Sequence, residues 1–358
     1  MERILVINPG STSTKIALFE DEREVARETL SHTAEELSAF EGVADQLEMR
    51  TASVLGFLEA QGMGPDALSA VVGRGGLLKP IEGGTYRVDA AMLDALRAAK
   101  RGEHACNLGA IIADAVAGPA GKPAYIVDPV VVDELVPEAR LSGLAELPRT
   151  SIFHALNHKS VARKAAAELG KAYEACRLVV AHLGGGISIG AHLKGRVVDV
   201  NQALNGEGCF SPERAGTLPS WDLAKLAFDH AESAAKRKTL QKMITGQGGL
   251  VSYLATNDLR QAWARVDAGA TEAQVVIEAM AFQIAKNIGA MATVLSGDVD
   301  AVVLTGGLAH DDRLMAMLRA RIGWIGPVLL FPGEAEMEAL CAGGLRVLRG
   351  EEEAKTYR

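Results

Sequence analysis

The chain has 358 residues, of which 48% are hydrophobic and 23% charged, and its formal net charge is −8. This length exceeds one ordinary compact core and predicts about two domains. An acidic chain without a dense run of Lys or Arg does not favour a surface for nucleic-acid phosphates, and only 4% of its residues are aromatic, too few for a platform that stacks single strands. We therefore expect no nucleic-acid partner.

The cysteines and the apolar segments indicate the compartment. Cys106, Cys176, Cys209 and Cys341 form no CxxC pair, which is typical of reduced thiols. The chain opens on a predicted strand without a signal-peptide pattern, and glycine or charge interrupts the longest apolar stretches before about 18 residues. The sequence therefore predicts a cytoplasmic protein with no membrane partner.

The first third of the chain alternates short strands with helical segments. The predicted strands cover residues 4–7, 15–20, 24–30, 68–72 and 124–127, and the predicted helical regions cover residues 34–61, 89–100 and 107–116. A turn of glycine and hydroxyl residues follows the first strand, and the last strand delivers Asp128.

The same pattern then begins again. The predicted strands cover residues 178–181, 187–193, 196–200, 301–304 and 327–331, and the predicted helices cover 221–229, 257–266, 271–295 and about 334–350. Gly10 and Gly184 align at an offset of 174 residues, which places Asn8 opposite His182. The shared order of strand, glycine turn, strand, turn and strand indicates an internal duplication. We expect an α/β fold with mixed sheets and a ligand cleft between its halves.

Three turns of small residues each follow a buried strand. They are Asn-Pro-Gly-Ser-Thr-Ser from residue 8, His-Leu-Gly-Gly-Gly from residue 182, and Thr-Gly-Gly from residue 305. Glycine lets backbone N–H groups approach a phosphate, the hydroxyls of Ser11, Thr12 and Ser13 add donors, and Lys15 adds a compact charge. GxxxxGK[ST] and GxGxxG are both absent, so neither a Walker loop nor a dinucleotide fold is indicated.

Phosphoryl transfer also needs cations and a metal ion aligned on the moving group. Arg74 and Arg214 lie in glycine-containing turns where a guanidinium can hold a carboxylate or a phosphate, and the alternative for each is a surface salt bridge. Asp128 ends a buried strand, the place where α/β sheets present active groups, and the alternative is a turn-forming aspartate.

Histidines and glutamates supply further candidates. Four histidines interrupt apolar segments without zinc-ligand spacing, namely His104, His154, His158 and His182. Each is either a structural residue or a donor to a phosphoryl oxygen. Glu334, Glu336 and Glu338 open the last predicted helix. The helix dipole alone favours acids there, and the functional alternative is a carboxylate that holds Mg²⁺ directly or through water.

Four segments resemble the acetate and butyrate kinases. Residues 5–15 resemble the first phosphate motif of that family and residues 178–188 resemble the second, while residues 73–86 and 206–216 resemble butyrate kinase in particular. The similarity extends over essentially the whole chain. Acetate kinases carry Asn where Gly185 stands and an acidic residue soon after the arginine that matches Arg214, so plain acetate kinase is the weaker assignment.

The resemblance implies a duplicated ribonuclease-H-like fold of the actin-like ATPase superfamily, with a nucleotide cleft between two domains. Residues 1–152 and a returning C-terminal helix in residues 335–358 are expected to form the first domain. Residues 153–334 are expected to form the second, nucleotide-binding domain. A homodimer or higher homo-oligomer is expected on the same ground.

The implied reaction is reversible transfer of the ATP γ-phosphoryl group to butyrate, which gives butanoyl phosphate and ADP with Mg²⁺ as the metal. Isobutyrate, acetate and propionate are alternative acceptors. Since a carboxylate is ionised near neutral pH, it needs no general base. A sugar or polyol kinase of the same superfamily would need one, and Asp128 is available. An ATP-driven chaperone would normally append a peptide-binding domain, for which this chain has no length left over.

The resemblance also assigns roles by position. It assigns catalysis to Asn8, Arg74, Asp128, His154 and Arg214. It assigns nucleotide binding to Ser11, Thr12, Ser13, Lys15, His182, Gly184, Gly185, Gly186, Gly306 and Gly307. It assigns Mg²⁺ to Glu334 and Asp128, with Glu336 as a competitor in register.

Overall fold

A computed structural model describes all 358 residues and divides them into two compact units. The first unit comprises Met1–Asp133 and Ala335–Arg358, and the second comprises Glu134–Glu334. From the sequence we placed the first of these boundaries at residue 152. Residues 134–152 group with the second unit because Lys159 Nζ lies 2.9 Å from Glu134 Oε1 and Arg149 Nη1 lies 2.9 Å from Asp199 Oδ1.

The N-terminal part of the first unit contains six strands and four helices. The strands are β1 Arg3–Pro9, β2 Ser13–Glu20, β3 Arg23–Ser31, β4 Ala70–Arg74, β5 Thr85–Arg87 and β6 Ala124–Val127. The helices are α1 Ala34–Ser38, α2 Leu47–Ala60, α3 Ala90–Ala98 and α4 Asn107–Ala117. Every strand predicted in this part is present, and the short strand β5 is an addition.

The second unit contains five strands and eight helices. The strands are β7 Arg177–Leu183, β8 Ile187–Leu193, β9 Arg196–Val200, β10 Ala301–Gly306 and β11 Val328–Pro332. The helices are α5 Pro137–Arg140, α6 Ala155–Glu168, α7 Ser220–Asp229, α8 Ala234–Thr245, α9 Gly249–Leu254, α10 Leu259–Asp267, α11 Thr271–Val294 and α12 Asp312–Ile322. Five of these helices, α5, α6, α8, α9 and α12, lie in segments where the sequence pattern predicted no element.

The chain then returns to the first unit as α13, Glu336–Leu348. This helix packs on β1, β4 and β6. A Cβ atom at Gly344 would lie 2.8 Å from Val72 Cγ2, so glycine permits the close approach of the helix to the sheet. Beyond the helix, Lys355 N donates to Thr85 O at 2.9 Å and ties the last residues to β5.

The two sheets share one topology, which confirms the internal duplication. The first sheet has the order β3-β2-β1-β4-β6-β5 and the second the order β9-β8-β7-β10-β11. In both, the first strand is antiparallel to the second and parallel to the fourth. β1 and β7 coincide at both ends under the offset of 174 residues. Both sheets are thus mixed, and their parallel strands end in the turns that the sequence singled out.

The predicted helical region 34–61 is two helices and not one. Thr33 caps α1 through a capping box with Glu36. Between α1 and α2 the amide of Gly42 donates to Asp45 Oδ2 at 2.9 Å, and the amide of Val43 donates to Glu103 Oε1 at 2.6 Å. These side chains take backbone donors that a continuous helix would use, so the helix breaks there.

Helix α11 is the longest in the chain. By length and composition it is the one helix that would suffice to cross a membrane, which is weak support for a span because core helices pass the same test. Its residues Ile277, Met280, Ile284 and Ile288 are fully buried in the apolar core of the second unit. The packing is that of a core helix.

Candidate functional site

The turn between β1 and β2 presents polar side chains to solvent. Gly10 N donates to Ser13 O at 2.7 Å and closes the turn, while the side chains of Ser11 and Thr12 are exposed. Lys15 is also exposed and lies opposite Asn8 in the antiparallel register. The predicted hydroxyl donors and the lysine are therefore accessible around one turn.

A buried arginine that the sequence analysis missed supports this turn from below. The guanidinium of Arg50 on α2 is fully buried and donates to Gly10 O and Ser13 O at 3.1 Å each and to Thr14 Oγ1 at 2.9 Å. Its only other side-chain partner is the neutral amide of Gln46, and burial lowers the pKa of Arg50. Because the turn carbonyls point inward to this cation, a positive charge without a carboxylate partner lies beneath the turn and favours an anion above it.

Arg74 and Asn8 meet at the carboxyl ends of β4 and β1, where they share one carboxylate. Asn8 Nδ2 donates to Glu336 Oε2 at 2.8 Å, and Arg74 Nη1 forms an ion pair with Glu336 Oε1. Neither Arg74 nor Glu336 has more than about a quarter of its side chain exposed. The register explains the meeting, since Ile7 pairs with Gly73 and the next residue of each parallel strand is Asn8 and Arg74.

Asp128 follows β6, the neighbour of β4. Its carboxylate Oδ1 accepts from Gly84 N at 2.7 Å, and the residue is 2% exposed with a left-handed backbone, φ 39°. A positive φ is uncommon outside glycine, although aspartate tolerates it better than most residues. The structure therefore holds the Asp128 carboxylate in a defined place at the carboxyl end of the parallel strands.

In the second unit the equivalent turn is packed against the loop that carries Arg214. The hydroxyl of Ser211 donates to Gly185 O at 2.5 Å, and Arg214 Nη1 donates to Ala203 O at 2.5 Å. The guanidinium of Arg214 lies against Gly186, where a Cβ atom would overlap it, and Arg214 Nε is buried without a hydrogen-bond partner. Burial lowers the pKa of Arg214. The predicted phosphate turn and the predicted arginine are thus one assembly.

Two histidines stack beside this turn. The rings of His154 and His182 lie 3.8 Å apart between centroids, at 10° to one another. Asn157 Nδ2 donates to Glu334 O at 3.0 Å, which orients the amide so that Asn157 Oδ1 faces His182 Nδ1 at 2.9 Å. Since an amide oxygen only accepts, His182 Nδ1 carries a proton. His182 Nε2 lies 3.5 Å from Glu334 Oε1.

The glycines after β10 complete the second cluster. Gly306 has φ 89°, and a Cβ atom there would overlap the backbone of Leu183, so this position requires glycine. A cavity of about 640 Å³ opens here and extends from Gly184 and Gly185 to Gly307. Its lining also includes polar residues that the sequence analysis did not single out: Glu213, Asn257, Asp258, Arg260, His310 and Asp311.

The predicted site residues therefore fall into two clusters, one in each unit. The first unit holds Asn8, Ser11, Thr12, Ser13, Lys15, Arg74 and Asp128. The second unit holds His154, His182, Gly184, Gly185, Gly186, Arg214, Gly306, Gly307 and Glu334. Their roles in catalysis and binding stay predictions. Glu336, the competitor of Glu334, belongs to the first unit and contacts Arg74.

The donors for a magnesium ion have the right chemistry. Mg²⁺ prefers carboxylate oxygens, keeps several waters, and is usually held by one or two carboxylates together with substrate phosphates. Asp128, Glu334 and Glu336 provide such oxygens. Glu336 already neutralises Arg74, whereas 49% of the Glu334 side chain is exposed. The residues fit the ion, with Glu334 as the more accessible carboxylate.

Comparison with known proteins finds similarity to acetate and propionate kinases. The acetokinase family model matches residues 147–321. Acetate kinase from Porphyromonas gingivalis aligns over 98% of this chain and 100% of its own with a TM-score of 0.78 at 18% identity. Propionate kinase from Francisella tularensis aligns over 96% and 99% (TM-score 0.72, 18% identity), and acetate kinase from Entamoeba histolytica over 97% and 100% (TM-score 0.78, 13% identity).

These matches confirm the predicted fold class, a two-domain α/β fold of the actin-like ATPase type with two mixed sheets. The family model thus matches a stretch within the second unit, and the structural matches show the fold over nearly the whole chain.

Proposed function

We propose that this chain is a carboxylate kinase that reversibly transfers the γ-phosphoryl group of ATP to butyrate. The observation that carries the proposal is the pairing of one guanidinium with one phosphate-type turn in each unit. In the first unit Arg74 is joined to Asn8, the residue that precedes the turn, through Glu336. In the second unit Arg214 lies against Gly186 of the turn. Two guanidinium groups suit a reaction between two anions.

The Arg74–Glu336 pair shows what the first guanidinium can hold. Arg74 binds a carboxylate of the protein, and a short-chain carboxylate presents the same group. We infer that the acceptor exchanges with Glu336 on Arg74 or is held beside it. A sugar hydroxyl offers no such charge, so this contact favours the carboxylate kinase over the sugar kinase alternative.

In the proposed mechanism one carboxylate oxygen of butyrate attacks the γ-phosphorus of ATP in line with the leaving group. The new C–O–P bond forms as the bond between the γ-phosphorus and the bridging oxygen breaks, and ADP leaves with that electron pair. Arg74 orients the acceptor, while Arg214, His154 and the backbone donors of residues 184–186 stabilise the charge on the moving group. Glu334 and Asp128 each offer a carboxylate oxygen for Mg²⁺, which would supply positive charge to the phosphate oxygens.

The nucleotide is assigned to the cavity beside Gly184, Gly185 and Gly307. Its glycines leave room for phosphates near the backbone, and its carboxylates, such as Asp258 and Asp311, suit ribose hydroxyls or an exocyclic amine. Asp258 and Asp311 both cap helices, through Arg260 N at 2.9 Å and Leu314 N at 2.8 Å, but Asp311 also accepts from Trp263 Nε1 at 2.9 Å. Asp258→Asn is the milder probe, and we expect it to raise the KM for ATP more than the KM for the carboxylate.

The preference for butyrate rests on the segments 73–86 and 206–216, which resemble butyrate kinase. The test is a panel of acetate, propionate, butyrate, isobutyrate and valerate with ATP and Mg²⁺, in which hydroxylamine traps each acyl phosphate as a hydroxamate. We expect the highest kcat/KM with butyrate. A higher kcat/KM with acetate or propionate would contradict the assignment of butyrate, while the proposed carboxylate kinase activity would stand. If none of the carboxylates yields a hydroxamate and a sugar is phosphorylated instead, the proposal is overturned.

We also propose a homo-oligomer in the cytoplasm. The second unit exposes large apolar side chains, including Trp221, Phe228, Tyr253 and Val275, each more than 60% exposed. Exposed apolar groups of this size are typical of protein interfaces. All four cysteines are free, as suits a reducing compartment. Light scattering on the wild type and on Trp221→Lys tests the assembly, and a monomeric wild type would contradict it.

A further inference from the structure

A continuous row of hydrogen bonds leads from the interior of the second unit to His154. Tyr173 Oη lies 2.8 Å from His192 Nδ1, and His192 Nε2 lies 3.2 Å from His158 Nδ1. His158 Nε2 lies 2.9 Å from Ser188 Oγ, which in turn lies 2.9 Å from His154 Nδ1. We call Tyr173, His192, His158 and Ser188 the buried histidine chain.

The spacing of these residues matches the elements that carry them. His154 and His158 are four residues apart at the start of α6 and lie on one face of that helix. Ser188 and His192 are four residues apart on β8 and lie on one face of that strand. The helix and the strand therefore place the pair His154 and His158 opposite the pair Ser188 and His192.

The buried histidine chain is closed to solvent. His158, Ser188 and His192 are 0% exposed and Tyr173 is 4% exposed. Because buried polar groups are costly unless they are hydrogen bonded, each ring nitrogen in the chain must face a group of matching character. The pattern of donors and acceptors can therefore be deduced from any one atom whose character is fixed.

The carbonyl oxygen of Ser188 is that atom. It lies 3.2 Å from His158 Nε2 and can only accept, so His158 Nε2 carries a proton. His158 Nδ1 then accepts from His192 Nε2, and His192 Nδ1 accepts from the hydroxyl of Tyr173. On the other side, Ser188 Oγ accepts from His158 Nε2 and uses its own proton to donate to His154 Nδ1.

Burial keeps both internal histidines neutral, and neighbouring positive charges add to this effect. Burial lowers the pKa of His158 to about 3, with a further contribution from His182. Burial also lowers the pKa of His192, which faces His158 and the cations Lys159 and Arg163. A neutral imidazole has one donor and one acceptor, so the direction of the chain cannot be lost by protonation near neutral pH.

We propose that the buried histidine chain fixes the tautomer of His154, so that Nδ1 accepts from Ser188 and Nε2 carries the proton. The four members of the chain are positioning residues. The catalytic consequence rests on the proposed function: His154 offers a fixed N–H donor to the phosphoryl group in transit. His182, whose Nδ1 carries a proton, stacks on it.

The first test is structural and needs no activity. Long-range ¹H–¹⁵N correlation spectra of the full chain with ¹⁵N-labelled histidine report the protonated nitrogen of each of its eight imidazoles. The signals of His154 are assigned by their loss in His154→Gln. We expect a neutral Nε2–H form of His154 at pH 7. A neutral Nδ1–H form would overturn the proposal.

The second test removes a hydrogen-bonding group from the buried histidine chain at either of two places. Ser188→Ala removes the donor to His154, and Tyr173→Phe removes only the hydroxyl at the far end. We expect Ser188→Ala to mix the tautomers of His154, and Tyr173→Phe to mix them less, because Ser188 O still fixes the proton of His158. With ATP and butyrate we expect Ser188→Ala to lower kcat about 10- to 100-fold, with both KM values within about twofold. Ser252→Ala, at an exposed position on α9, is the matched control that should change neither readout.

The outcomes separate this inference from the proposed function. An unchanged His154 tautomer in a folded Ser188→Ala variant would overturn the inference. If Ser188→Ala does not fold, the tautomer of His154 in the wild type, measured in the first test, decides. If the wild type shows the predicted tautomer of His154 but has no carboxylate kinase activity, the inference stands and the proposed function is wrong.

Discussion

Gly186 lies directly beneath the guanidinium of Arg214, and a Cβ atom at this glycine would overlap both Nη1 and Cζ of the arginine. The same guanidinium is anchored to Ala203 O. The glycine is therefore required by the arginine as well as by any phosphate above the turn. Two observations from distant parts of the sequence, a glycine turn and an arginine loop, are one feature in three dimensions.

We predict that Gly186→Ala displaces Arg214 and lowers kcat about 100-fold or more, because a donor to the transition state is lost. The thermal midpoint should fall only slightly, since the guanidinium is at the end of a flexible side chain. Steady-state kinetics and a thermal melt check both parts. Gly289→Ala on α11 is the control, as a Cβ atom there meets nothing within 4 Å. Full activity in Gly186→Ala would exclude a catalytic position for Arg214.

Arg50→Met is predicted to cost both stability and phosphate binding. The change leaves the carbonyls of Gly10 and Ser13 without their donor, which should lower the free energy of unfolding by about 2–4 kcal/mol. It also removes the buried charge beneath the turn, so the KM for ATP should rise. Urea unfolding and kinetics provide the measurements, and Arg97→Met on the exposed face of α3 is the control. A stable variant with unchanged KM would show that the turn does not depend on Arg50.

Glu334→Gln and Glu336→Gln should have different effects. Because the Glu334 side chain is accessible and Glu336 is engaged by Arg74, we expect Glu334→Gln to raise the Mg²⁺ concentration for half-maximal rate about tenfold. Glu336→Gln should instead change the KM for the carboxylate. Titrations of Mg²⁺ and butyrate separate the two. Glu338→Gln, which alters an exposed pair with Arg27, is the matched control. If Glu336→Gln instead raised the Mg²⁺ requirement and Glu334→Gln changed the KM for the carboxylate, the metal role would belong to Glu336.

Stability should decline in mild acid because of the buried histidines. The pKa of His158 is about 3 in the native state, against about 6.5 in the unfolded chain. Above pH about 6.5 both states are neutral and this stability is fully present. As the pH falls below that value the unfolded state binds a proton that the native state rejects, so the free energy of unfolding should drop by about 1.4 kcal/mol per pH unit for this residue.

His158→Gln removes one group that takes up a proton when the protein unfolds. We therefore expect a shallower decline of stability between about pH 6 and pH 4.5 in this variant, measured by urea unfolding at several pH values. His310→Gln, at an exposed histidine, should leave the slope unchanged. An identical slope in wild type and His158→Gln would mean that His158 is protonated in the native state.

Much of the fold could be predicted because local patterns determine it. The strands 187–193 and 196–200 were predicted with both boundaries correct, since a hairpin turn at Lys194 and Gly195, both with positive φ, separates two apolar runs. Helix α6 was missed because Asn157, His158 and Lys159 are buried on it. Polar residues on the buried side of a helix remove the amphipathic pattern on which the prediction depends.

The site was predictable only where motifs are contiguous. The three glycine turns are local features and were found. Arg50 was missed because one arginine on a helix is usually solvated, and only the distant turn that it contacts reveals its role. The buried histidine chain is hidden in the sequence for the same reason, because the contact between His158 and His192 joins two elements, α6 and β8.

The return of α13 to the first sheet sets an order for biosynthesis. On the ribosome, every strand of the first unit emerges before the second unit begins, yet the helix that packs on β1, β4 and β6 emerges only after the second unit is complete. The apolar face of the first sheet that α13 covers stays open throughout that interval. A nascent chain stalled before residue 336 should therefore bind holdase chaperones, and supplying α13 as a separate peptide should release them.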